Sequence, residues 1–327
     1  MSDVAPAAVA GGLPDTIGGS APPAGGRRLS GEFLRFLLER PSLLAGYVIV
    51  AAVALLGLLA PLLPLHSPVD ADSSAYLVPP SLSHPMGTDS AGLDIFARVL
   101  WAPRVDLAIA LVSTLWAALV GGSLGALVGL WEGARGAKGI AAVLVLRSAD
   151  VIQAFPVFVL ALVLVAVLGQ GVGSIIIAIG AVNIPIYLRL MRSEALTIRA
   201  QGYVESARIS GAGDLYLLAR HVVPNALAPL LAQMSINTGV AVLLAAGLSF
   251  IGAGVRAPTP EWGSMIAMGF QSIVTGQWWP SIFPGLALAL TVFGLGRIGA
   301  SVLAWSNPRE RSRPSRRAWK AFVGGRG

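Results

Sequence analysis

Cysteine is missing from all 327 residues of the chain. That excludes disulfides, thiolate metal sites and cysteine nucleophiles. Histidine is nearly missing, with only His66, His84 and His221. They are far apart in the sequence, and the topology argued below sets two outside the membrane and one inside. No metal site built from all three is therefore expected. Charge is scarce as well: Asp, Glu, Lys and Arg make up 12% of residues, about half of what soluble domains carry. Without G-x-x-x-x-G-K-[ST] the chain has no phosphate-binding loop of its own, and without H-E-x-x-H it has no zincin centre. No catalytic residue is expected. Asp150 and Glu194 stand near predicted helix ends, where solvation or pairing is the ordinary role.

What remains is apolar. Hydrophobic residues make up 55% of the chain and the mean hydropathy is +0.75. An all-α, multi-pass membrane protein is expected, because in lipid a helix satisfies its backbone polar groups within itself. A soluble protein of buried helices would need more charge on its outside. A crossing takes about 20 apolar residues, which predicts six spans: Leu43–Leu65, Val105–Leu130, Ile140–Leu168, Ser174–Leu190, Ala226–Ile251 and Phe283–Ala304. Arg147 and Asp150 are expected at the cytoplasmic end of the third. Residues 1–30, rich in Ala, Pro and Gly, read as a disordered tail, and residues 1–40 as that tail plus a basic lead-in. No positive region precedes an apolar run there, so no signal peptide is expected. The membrane domain is placed at 41–309. Residues 310–327 form a basic tail suited to anionic lipid.

The net charge of +7 is read by position, not as a nucleic-acid signal. With the N-terminus cytoplasmic, the four inner segments hold four, three, five and seven basic residues, nineteen of the 23 in the chain. The positive-inside rule then sets both termini in the cytoplasm. Segments 66–104 and 252–282 become extracytoplasmic, and segment 191–225 cytoplasmic. The spans hold almost no acidic residue away from their ends, which disfavours an ion-coupled secondary transporter.

Three features stand out within the spans. Gly121, Gly125 and Gly129 share one helix face and suit close approach of another helix of the same chain. Trp278 and Trp279 fit an outer interfacial belt, and Trp305 an inner one. Arg297 lies in the last span and is expected to snorkel or pair.

The segment Tyr203–Asn225, YVESARISGAGDLYLLARHVVPN, is polar and basic between two apolar runs. Gly211 can take a positive φ and end a short helix. Asp214 is expected to N-cap a second helix, Leu215–Val222, and Pro224 with Asn225 to stop it. Glu205 and Arg208 could orient a partner over the small Ser206 and Ala207. An ordinary lipid-anchored amphipathic loop would carry the same physics.

The spacing Glu205-Ser206-Ala207, Gly211, His221, Pro224 resembles the EAA loop of bacterial ABC-importer permeases. His84-Pro85-Met86-Gly87-Thr88-Asp89 is similar to the HPLGTD stretch of the second, C-type permease of dipeptide and oligopeptide systems. Asp150 through Phe155-Pro156, Leu248 to Gly252 and Pro258 to Met265 resemble further blocks of that subunit, in the same order. The likeness covers about residues 41–309. Ser206 and Val223 depart from the usual alanine and leucine. Gly92-Leu93-Asp94 lacks the usual arginine, and Gly299 to Ala304 replaces a polar stretch.

The resemblance implies a type I ABC importer fold in the bacterial inner membrane. It implies a second, paralogous permease, two ATP-binding subunits and an extracytoplasmic binding protein. It implies no cofactor in this chain, with ATP and Mg on the ATPases. A peptide substrate is implied; nickel chelates, opines and oligosaccharides are alternatives within the family. The coupling set expected is Glu205, Ser206, Ala207, Arg208, Gly211, Gly213, Asp214, His221 and Pro224. Gln153, Asn183, Gln233 and Asn237 are polar candidates for a pore lining, or equally for helix–helix hydrogen bonds.

Overall fold

A computed structural model describes residues 26–307, with side chains from residue 31. Residues 1–25 of the expected N-terminal tail, and the whole basic tail expected at 310–327, lie outside the described residues. Among the described residues the chain is helical throughout, without a strand. Five helical stretches are long and apolar enough to cross a membrane: Pro41–Leu62, Ile95–Trp131, Val172–Arg199, Asp214–Phe250 and Trp279–Ser306. A bent pair, Ala137–Ala154 with Val157–Leu168, makes a sixth crossing if counted as one.

The helices are α1 (Gly26–Leu38), α2 (Pro41–Leu59), α3 (Ile95–Trp101), α4 (Pro103–Trp131), α5 (Ala137–Ala154), α6 (Val157–Leu168), α7 (Val172–Arg199), α8 (Gly202–Ile209), α9 (Asp214–Leu217), α10 (Val223–Phe250), α11 (Trp262–Ile273) and α12 (Trp279–Ser306). A π-helical turn, Leu218–Val222, joins α9 to α10. The last residues of the expected disordered tail and the lead-in are thus helical as α1. Its Phe33 and Phe36 pack edge-on against Trp305 at 5.2 and 5.3 Å.

The α4–α7 pair forms the centre, and the glycine stripe explains it. A Cβ on Gly121 or Gly125 would collide with the backbone carbonyl of Ile184 or Leu188, and one on Gly129 would lie 2.6 Å from Ala195 Cβ. The stripe therefore serves packing within the chain, as its spacing suggests. Association in lipid gains little from burying apolar surface, so such close backbone approach supplies the attraction. A core of Ile109, Ile175, Ile179, Val242 and Leu248 fills the space toward α10 and α11.

The third apolar run is not one helix. α5 and α6 meet at 94°. Phe155 precedes Pro156 and has extended geometry, φ −87° and ψ 143°, because a residue before proline is pushed out of the α region. Arg147 and Asp150 sit within α5 and pair with each other at 3.7 Å, while Arg189 reaches the same Asp150 at 2.8 Å. Helix α7 runs nine residues past the expected end of its span, to Arg199. Arg297 does pair: it donates to the carbonyl of Ser42 at 3.1 Å and to its hydroxyl at 2.9 Å.

Candidate functional site: the α8–α9 segment and the end of α4

The segment after α7 folds as two short helices around a glycine turn. Gly211 has φ +86°, and a Cβ there would meet nothing. Its requirement is conformational, since only glycine adopts that φ without cost. Gly213 has ordinary geometry, φ −75°, and itself occupies the N-cap position of α9.

Asp214 is not the cap expected of it. Its carboxylate reaches across to other elements and accepts from Trp131 Nε1 at 2.9 Å and from Lys138 Nζ at 2.6 Å. With no side chain on Gly213 to cap the helix, the acidic group one residue later is free for this longer contact.

Pro224 does not stop the helix either. The chain passes through the π-helical turn directly into α10, with Pro224 in its first turn. A proline ring clashes with the carbonyl four residues back; the wider π turn makes room for it. His221 lies in that turn, with Tyr203 and Tyr216 rings 5.5 and 5.8 Å away. Asn225 Nδ2 donates to the His221 carbonyl at 2.6 Å.

The C-terminal end of α4 is the hub. Arg199 Nη1 donates to the carbonyls of Gly129, Leu130 and Glu132 at 3.0, 3.3 and 2.7 Å. These include carbonyls that a helix end leaves without partners. Glu132 also receives two bonds from Arg192, at 2.7 and 2.6 Å. The Arg192 hydrogen bonds hold the Glu132 carboxyl below the usual glutamate value, against a smaller opposing effect of burial. Glu132, Arg199, Val204, Glu205, Arg208 and Ile209 line a groove of about 600 Å³.

In α8, Val204 is buried and Ala207 half-buried against the cluster beneath, while Glu205, Ser206, Arg208 and Ile209 face outward. Ser206 Oγ bonds back to the Gly202 carbonyl at 2.9 Å. The result is a small exposed helix with charged flanks, fastened to the ends of α4 and α7. No catalytic constellation is found in it.

Residues 121–312 match the family described as binding-protein-dependent transport system inner membrane component. The chain belongs to that family. This permease is 36% identical to the probable D,D-dipeptide transport system permease protein DdpC of Escherichia coli (strain K12), over 88% of this chain and 95% of that one. It is 33% identical to the dipeptide transport system permease protein DppC of Alkalihalophilus pseudofirmus, over 86% and 90%. It is also 33% identical to the glutathione transport system permease protein GsiD of Pectobacterium atrosepticum, over 85% and 90%. The permease is a multi-pass inner-membrane transport component.

At the opposite end of α4 the permease carries a folded segment between α2 and α4. Thr88 is its centre: its hydroxyl donates to the Ala75 carbonyl and accepts from Val78 N–H at 2.8 Å. Asp89 accepts from the N–H groups of Ala91 and Leu93 at 2.8 and 2.9 Å. Trp279 is buried here and donates to the Thr88 carbonyl at 3.1 Å. It is not a belt residue; exposed Trp278 is the one of the pair that suits that role. Arg98, fully buried, donates to the carbonyls of Pro68 and Pro258 at 2.8 and 3.0 Å. The histidines are not all separate, because the segment doubles back on itself. His66 and His84 lie 4.9 Å apart by ring centroid, with Asp94 beside both.

Of the polar candidates for a pore lining, Asn183 and Asn237 are buried inside this subunit. Asn183 donates to the Ile179 carbonyl at 2.8 Å, and Gln233 donates to Asn237 at 2.9 Å. Gln153 is half-buried on α5. Sequence reasoning missed Trp131, Glu132, Lys138, Arg192 and Arg199. A signal existed: Trp131 and Glu132 directly follow the glycine stripe, so their helix end was bound to meet α7.

Proposed function

We propose that this permease forms half of the translocation pathway of an ATP-driven peptide importer, with α8 and α9 as the surface that receives the ATPase. The carrying observation is the α8 knob above the Arg199–Glu205–Arg208 groove, tied to α4 through Asp214 and Arg199. Glu205, Ser206 and Arg208 make the contact, with Ala207 packed beneath. Gly211 shapes the turn, and Gly213 stands at the start of α9. Asp214, His221 and Pro224 pass the motion to α4 and α10.

A second, paralogous permease completes the pathway. Two ATP-binding subunits supply ATP and Mg chemistry, and an extracytoplasmic binding protein delivers the substrate. Both termini and α8–α9 are cytoplasmic, which accords with the clustering of basic residues at those segments. Gln153 and Gln233, less buried than the two asparagines, are the better candidates to face the pathway. The peptide reading is supported by relatives that are dipeptide, peptide or glutathione transport permeases.

The test uses the absence of native cysteine. A single cysteine at Ile209, an exposed position, should cross-link to the ATPase subunit in native membranes, and one at Leu82 on the opposite face should not. Cross-linking only from Leu82 would overturn the docking assignment. Uptake of labelled di- and oligopeptides by cells with and without the permease tests the substrate, with nickel chelates, opines and oligosaccharides in parallel.

A further inference from the structure

His66, His84 and Asp94 come from three separate stretches of the segment between α2 and α4. One ligand atom from each lies within 4.8 Å of the others. His84 Nδ1 stands 2.8 Å from Asp94 Oδ2, and His66 Nδ1 stands 3.8 Å from the same oxygen. The other carboxylate oxygen of Asp94 is committed to the Ala97 N–H at 2.7 Å, which fixes the group at the start of α3.

Two imidazoles therefore converge on one buried carboxylate oxygen. A single shared proton satisfies His84 but leaves His66 beyond hydrogen-bond reach. A cation between them would use all three atoms. Tetrahedral coordination with bonds of ~2.0 Å sets ligand atoms about 3.3 Å apart, between the two distances found. Arg98, on the same segment, is committed to the carbonyls of Pro68 and Pro258. His66 is well exposed, His84 little and Asp94 hardly at all, so the site is anchored on the protein side and open to solvent.

We propose that His66, His84 and Asp94 form a site for a divalent transition metal on the outer face of the permease. Two nitrogen donors and one carboxylate suit zinc, nickel or copper over magnesium or calcium. Water would complete the coordination. Asp94 follows His66 by 28 residues, so the ion pins the loop that follows α2 to the start of α3. The site stands on geometry alone and does not depend on the peptide reading.

The experiment is equilibrium dialysis of the whole permease in lipid nanodiscs, purified on a tag without histidine, against Zn²⁺ alone. About one Zn²⁺ per chain is expected at micromolar concentration, with Co²⁺ giving the absorption of a tetrahedral site. His66→Ala leaves the His84–Asp94 hydrogen bond in place, and so tests the site without disturbing the fold. It should weaken binding about tenfold or more, while Leu82→Ala, at an exposed position of the same segment, leaves it unchanged. No binding by the wild type, or equal binding by His66→Ala, would overturn the site. Both results are independent of peptide uptake.

Discussion

Trp131 donates its indole N–H to Asp214 Oδ2 at 2.9 Å, and Lys138 reaches the same oxygen at 2.6 Å. One carboxylate oxygen thereby joins the end of α4, the start of α5 and the first turn of α9. Each of these elements leads into a different membrane helix. We predict that Asp214→Ala leaves the permease inserted and assembled with its ATPase. The loss of ATPase stimulation by substrate-loaded binding protein should be several-fold, as expected from losing charge-assisted bonds of about 1.5–3 kcal/mol. Lys138→Ala should do much less, because that pair is solvent-exposed and such pairs contribute little. Full stimulation in Asp214→Ala would remove the tie from the coupling path.

The two glycines of the α8–α9 turn should separate in their effects. Gly211→Val forces a β-branched residue to φ +86° in open space. The strain is about 1–3 kcal/mol, and the helix turn should rearrange. Hydrolysis should continue with uptake lost, or the ATPase should dissociate. Gly213→Ala has ordinary φ and open space, and uptake should stay within about twofold of wild type, as for other surface changes. Equal behaviour of the two variants would show that the turn conformation is not what matters.

Gly125→Leu should prevent folding altogether, because a side chain there meets the Leu188 carbonyl and Cα. Overpacking at a site where neither backbone can retreat exceeds the ordinary cost of about 1–3 kcal/mol. Gly285→Ala in α12, where nothing lies within 4 Å, should be neutral. Quantities of monodisperse permease after detergent extraction decide the point.

The Glu132–Arg192 pair gives a pH signature. Its carboxyl is held below the ordinary value of 4.5 in the folded protein. The pair's contribution is therefore complete above that value and is lost as pH falls through the lowered one. The thermal stability of wild type should exceed that of Glu132→Gln at pH 6 to 8 by a small margin, since the pair is partly exposed. The margin should vanish in strong acid. A margin that grew on acidification would contradict the assignment.

Composition and hydropathy were enough for the class, for five of the crossings and for the α8–turn–α9 order, because lipid leaves few alternatives; the third run is a sixth crossing only if its bent pair counts as one. Residues whose role depends on distant partners were harder. Trp279 reads as an interfacial belt residue until the segment around Thr88 folds over it. Asp214 reads as a cap until Trp131 and Lys138 arrive from 83 and 76 residues away. The 94° break at Pro156 was readable from the proline rule, but a long apolar run hid it. Asn183 and Asn237 carry amides suited to a pore, and only packing puts them inside the subunit.

Between the glycines at 211–213 and Gly252, residues 214–250 run as one uninterrupted rod, with the π turn included. At 1.5 Å per residue it is about 55 Å long. Its tight contact with α12 lies at mid-length, where a Cβ on Gly299 would stand 3.0 Å from the Ala232 carbonyl and Ser235 bonds the Leu295 carbonyl at 2.8 Å. The rod is held a second time near its far end, where a Cβ on Gly263 of α11 would collide with the Ala246 carbonyl. We predict that the α12 contact is the pivot, so that a push at the α9 end emerges reversed in direction and reduced in size at the Phe250 end. Spin labels at Leu215 and Phe250, each paired with a reference on α4, should therefore report distance changes of opposite sign when ATP binds. Changes of the same sign would mean that the rod slides or bends.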